Sequence, residues 1–147
     1  MKQDALKSGK FKPASLEVLH QESRNWLSTV AFWKDEVRFM HNLIVKNFIF
    51  FFSNDQKGSL DALVKKITEI EETKLNVLKA EVVNHEKRLS DHLKYQVDLD
   101  LQDFRTEHTG ITEHFNLFQN NYRMLKSELF RLAESAMKEK DMKRLVS

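Results

Sequence analysis

Six histidines among 22 carboxylates are the residues of this 147-residue chain best suited to chemistry. The chain has no cysteine, which excludes disulfides, thiolate nucleophiles and thiolate metal ligands. Imidazole with carboxylate suits a divalent metal such as iron or zinc. Spacing decides how far that idea goes. Ferritin-like di-iron sites need a Glu-x-x-His pair on each of two helices, so that both ligands of a pair share one face. The chain does not supply two such pairs. The spacings His-x-x-x-Glu and His-x-x-x-His are absent too. Glu81 and His85 stand one helical turn apart and could share one ion. His92 lies two turns further on, about 10 Å along a helix, too far to join them. There is no Gly-rich phosphate loop, no Gly-x-Ser-x-Gly and no His-Glu-x-x-His.

The elements that must position these residues are helices. Gly 3 and Pro 1 leave few places to turn, so the elements are long. The first helix is predicted over about 15–52, starting at Ser15 as N-cap with Glu17 in its first turn. Its seam, Leu16, Leu19, Ser23, Trp26, Val30, Trp33, Val37, Met40, Ile44, Asn47, Phe51, steps by three and four as in coiled-coil-like bundles. Asn47 is its polar intruder, of the kind that fixes register when buried. Residues 53–59 have loop composition, with Ser59 as the next cap.

The second helix is predicted over about 59–108, because Leu60 to His108 contains neither Gly nor Pro. Its latter seam, Leu78, Val82, His85, Leu89, His92, Gln96, Leu99, Asp103, is polar at half of its positions. Leu93, Val97 and Leu101 offer a seam one residue over, which would turn His92 and Gln96 to its edge. Gly110 then supplies a left-handed turn and Thr112 caps a third helix over about 112–145. That helix carries Phe115, Phe118, Tyr122, Leu125, Leu129, Leu132 and Ala136. The expected fold is all-α: an antiparallel bundle of three long helices in one domain over 14–147, after a basic tail over 1–13. A break in the second helix between Asn84 and Ser90 would make it a four-helix bundle.

Antiparallel packing turns this into geometry. Facing residues of helices one and two have numbers adding to about 111, and those of helices two and three to about 221. His85 then faces Trp26 and Ala136 and is a packed core histidine. His20, His92 and Glu128 form the one metal candidate that three helices can build. His108 and His114, with Glu107 and Glu113, fall on a solvated tip at the second turn. Trp26, Trp33 and Tyr122 are core.

Lys+Arg 24 against Asp+Glu 22 gives a net charge of +2, too balanced for a nucleic-acid partner. No apolar run approaches the roughly 20 residues of a membrane span, and the N-terminal residues lack a signal's apolar core. A cytoplasmic protein is expected. Phe48, Ile49, Phe50, Phe51 and Phe52 are apolar on every face, and a tip of two helices cannot bury them. They predict a homo-oligomer interface, most simply a dimer that completes a local four-helix bundle. The expected function is therefore a non-enzymatic interaction or scaffold protein without cofactor, engaging a second copy or a helical partner. The alternative is a metal-binding bundle with a carrier, oxygen-binding or redox role.

Overall fold

The computed structural model describes residues 15–47 and 57–146, with side chains over 15–47 and 58–138. Helix is the only regular structure among them. α1 is Leu16–Lys46, α2 is Lys57–Glu69, α3 is Leu75–Tyr95 and α4 is Leu101–Val146. A π turn, Ile70–Lys74, joins α2 to α3 without interruption, so the architecture is an all-α bundle of three long rods. Among the described residues, no helix is long and apolar enough to cross a membrane.

α1 starts where its sequence says it should. The Ser15 hydroxyl accepts the Val18 N–H at 3.4 Å, and Glu17 sits in the first turn. Leu19, Ser23, Val30, Trp33, Val37, Met40 and Ile44 are buried, and half-buried Trp26 fills the three-four step between Ser23 and Val30. Asn47 is not a buried seam residue. It ends the helix, its side-chain amide donating to the Leu43 carbonyl at 2.9 Å. The expected tail over 1–13, the end of helix one at 52 and the aromatic run Phe48–Phe52 lie outside the described residues.

The π turn has a cause in the sequence. Leu60, Leu63, Ile67 and Ile70 keep the three-four step and are buried, but the next buried residue is Leu75. That step of five would rotate the rest of the rod off the core in a regular α-helix. The Leu75 N–H instead bonds back to the Ile70 carbonyl, and the wider turn absorbs one extra residue. Leu75, Leu78, Val82, His85 and Leu89 then continue the buried face.

The second turn is not where glycine suggested. The rod ends at Tyr95, and Gln96 takes the left-handed conformation with φ of 53°. Asp100 then caps α4: its carboxylate accepts the Asp103 N–H at 3.1 Å and its carbonyl accepts the Phe104 N–H at 2.9 Å. The predicted bounds 59–108 and 112–145 are corrected accordingly. The predicted third-helix cap, Thr112, donates its hydroxyl to the His108 carbonyl at 2.9 Å, as a residue inside a helix does. An interior glycine costs only about 1 kcal/mol, while the helical backbone here carries Phe104, His108 and Ile111 into the core. Aspartate is also a better N-cap than threonine.

Moving the turn shifts the residues of α4 that face α3 by roughly 25 positions. The main core joins all three rods, from Val30 and Val82 to Ile44, Leu60, Leu129 and Leu132. A smaller cluster of Leu19, Leu89 and Phe104, with Leu16 and Leu99 against it, closes the end near the second turn. Each fully buried Leu or Ile contributes about 1.5–3 kcal/mol of transfer free energy.

Gly110 offers a direct check on this turn. A Cβ added there meets no atom within 4 Å, and the glycine does not use a left-handed conformation. Gly110→Ala is expected to stabilise the fold by about 1 kcal/mol, seen as a higher midpoint in chemical denaturation. Destabilisation would restore the turn to Gly110.

Candidate functional site

Each rod contributes one buried polar residue to a single zone of the bundle: Ser23 from α1, His85 from α3 and His108 from α4. They fall in the seams between the small cluster of Leu19, Leu89 and Phe104 and the main core. His85 is 0% exposed, as its seam position predicted. Its ring stacks on Phe104, with centroids 4.0 Å apart and planes within 7°. His108 is 5% exposed and its ring lies 4.5 Å from Trp26.

The two rings are joined in series with charged neighbours. His85 Nδ1 lies 2.5 Å from Glu107 Oε1, and His85 Nε2 lies 2.9 Å from His108 Nδ1. His108 Nε2 lies 2.9 Å from Glu22 Oε1. The other carboxylate oxygen of Glu107 is ion-paired with Arg88. Glu22, His108, His85, Glu107 and Arg88 therefore form one line that crosses from α1 through α4 to α3. Simple adjacency makes it possible. Glu107 precedes His108, so one points to the α3 flank while the other points inward. Arg88 lies one turn beyond His85, and Glu22 sits next to buried Ser23.

Burial pulls the His85 pKa below its ordinary value; Glu107 opposes this, and the charges of His108 and Arg88 add to it. Burial would raise Glu107, but its hydrogen bonds with Arg88 and His85 hold it below the usual carboxylate range. Both shifts make the fold lose stability on acidification. His85 is favoured neutral, so its contribution fades as pH falls below its unfolded value of about 6.5. The Glu107 contribution is present above its unfolded value and fades as pH falls through the lower folded one.

All four ring nitrogens of the pair have partners inside the line. None points at an open space where a metal or substrate would bind. Among the described residues, no group of three or more His, Asp or Glu converges as a metal would require. The metal candidate of His20, His92 and Glu128 is not assembled. His20 pairs with Glu86, and His92 Nδ1 is 2.8 Å from the Val97 carbonyl. Glu128 lines a groove elsewhere, beside Lys66 and Glu69. The shifted turn accounts for this, because it carries Glu128 toward the level of α2. Glu17 and His20 do form a single Glu-x-x-His spacing, and Glu17 is exposed. Glu81 does not join His85; it pairs with His114 at 2.8 Å. The tip cluster of His108, His114, Glu107 and Glu113 is likewise undone, because α4 runs straight through it and buries His108.

His85 was expected against Trp26 and Ala136. The ring it stacks on is Phe104, and Trp26 packs on His108. The partners of His85 were missed, although a signal existed. Phe104, His108, Ile111 and Phe115 step by four, three and four, carrying the seam of the last helix back past Gly110.

A second feature lies beside the π turn. An open trough of about 700 Å³ runs between the π turn and α4. Leu78, Phe118 and Leu125 form its floor, and Lys66, Lys74, Glu69 and Glu128 stand around it. Its walls include Val77, Leu117 and Met124, which are 54%, 62% and 72% exposed. Beside it, the Tyr122 hydroxyl donates to Glu36 at 2.6 Å, and Lys126 donates to the same oxygen at 3.3 Å. Burial and the Glu36 carboxylate raise the Tyr122 pKa, so the phenol stays protonated. Trp33 stacks against Phe115 and packs on Phe118 and Tyr122, so Trp33 and Tyr122 are core residues as expected.

No family model, curated protein or solved structure matches this chain.

Proposed function

We propose that this chain is a non-enzymatic interaction protein that pairs with a second copy of itself through the trough between the π turn and α4, with no metal or cofactor. The carrying observation is the apolar wall of Val77, Leu117 and Met124, each more than half exposed. Large side chains grouped in one groove and rimmed by charges are typical of an interaction surface. A second copy suits this groove because its rim is self-complementary. Lys66 and Lys74 stand with Glu69 and Glu128, so a two-fold pairing can bring lysines of one copy onto glutamates of the other. Leu117 and Met124 lie two turns apart on α4, the repeat with which one helix packs along another. Pairing there completes a four-helix arrangement.

Light scattering on the purified protein tests this. A dimer is expected at tens of micromolar, and Leu117→Glu combined with Met124→Glu should give a monomer. Both positions are exposed, so that variant should keep the helical signal. A wild-type monomer at these concentrations overturns the proposal. Elemental analysis of untagged protein tests the metal clause, and a stoichiometric metal would favour the carrier or redox alternative.

A further inference from the structure

The line from Glu22 to Glu107 contains four titratable groups and three close contacts. A hydrogen bond needs one proton in each contact, so three protons satisfy the line. Two neutral imidazoles between two carboxylates bring only two. If each neutral ring donates outward to its carboxylate, His85 Nε2 and His108 Nδ1 face each other as bare lone pairs at 2.9 Å. If both rings are doubly protonated, the same contact sets one N–H against another. We propose that the Glu22–His108–His85–Glu107 line is a proton-binding site that takes up one proton beyond the two of the neutral imidazoles, and that this proton fastens α4 to α1 and α3.

With that proton, one positive charge is shared along the pair. It balances one of the two carboxylates, and Arg88 balances the other, so the line is neutral overall. The lowered His85 pKa places His85 as the uncharged member that accepts from His108. Two other histidines of the bundle are already engaged with carboxylates of α3. From α1, His20 pairs with Glu86 of α3, and from α4, His114 pairs with Glu81 of α3. Arg105 has its Nε buried without a hydrogen-bond partner. The apparent pKa values belong to the linked pair rather than to either ring. Stability therefore has a maximum with pH: one limb falls on losing the shared proton, and the other on gaining a fourth.

Glu22→Gln separates this site from every other histidine. Its side-chain amide can donate to His108 Nε2, which lets His108 donate to His85 and His85 to Glu107 with both rings neutral. The third proton is then no longer needed. The Glu22 side chain is 52% exposed, so the substitution is compatible with folding. The wild-type melting temperature is expected to fall by about 5 °C as the shared proton is lost on raising the pH above the free imidazole value of about 6.5. The Gln variant should show no such alkaline fall. The pairs His20–Glu86, His41–Glu71 and His114–Glu81 are the same in both proteins, so whatever they contribute cancels from the difference. Nitrogen NMR of the imidazoles counts protons directly: three on the four nitrogens of His85 and His108 in the wild type, and two in Glu22→Gln. Two protons in the wild type at neutral pH, or matching pH profiles for the two proteins, overturn the proposal.

Discussion

His85→Asp is expected to destabilise the bundle by about 3–5 kcal/mol, because it places an unpaired carboxylate in the interior. Aspartate is too short to reach His108 Nδ1, which His85 Nε2 meets at 2.9 Å. It sets a second negative charge beside Glu107 and removes the ring that covers Phe104. His85→Leu is a milder case with a definite sign. Its seam position alone would allow leucine as neutral or slightly stabilising. The partners reverse that: leucine leaves a buried His108 nitrogen without its bond, at a cost of about 1–3 kcal/mol. Urea denaturation followed by circular dichroism at neutral pH measures both. An aspartate variant as stable as the wild type would mean that His85 is not inside the bundle.

The second large effect contrasts two deletions of exposed residues on the same rod, Thr73 in the π turn and Ala80 in α3. Deleting Thr73 shortens the step from Ile70 to Leu75 from five to four, which a regular α-helix accommodates. The buried face of α3 stays on the core, and the expected change is within about 1 kcal/mol. Deleting Ala80 rotates everything beyond it by about 100° relative to Leu75 and Leu78. Val82, His85 and Leu89 would leave the core together. At about 2–5 kcal/mol for each lost large side chain, the folded state does not survive. Thermal melts of the two deletion variants decide it. Equal damage from both would show that the π turn holds something more than a spare residue.

The exposed groove beside that turn gives the spare residue a second meaning. A regular helix continuing from Ile70 would bury Val77, seven residues on; the π turn buries Leu75 and Leu78 instead and leaves Val77 at the trough wall. The same feature that keeps His85 inside thus turns an apolar side chain outward. π turns recur at functional positions for this kind of reason.

Local chemistry alone determined the all-α class, the N-cap at Ser15, the buried seam of α1 and the interior place of His85. These follow from residue periodicity, which the backbone imposes wherever a helix forms. The step of five at Ile70–Leu75 and the cap at Asp100 were also written in the sequence. They were harder to see, because a π turn has no marker residue and a cap without Gly or Pro looks like any aspartate. Only the tertiary structure decided which histidines meet. In antiparallel rods, moving one turn by a dozen residues moves every facing pair by about twice as many. Gly110 and Asp100 competed for that turn, and the burial of Phe104, His108 and Ile111 outweighed the small helical penalty of one glycine. His20, His92 and Glu128 were separated by that choice, and Glu22, His108, His85 and Glu107 were brought into line by it.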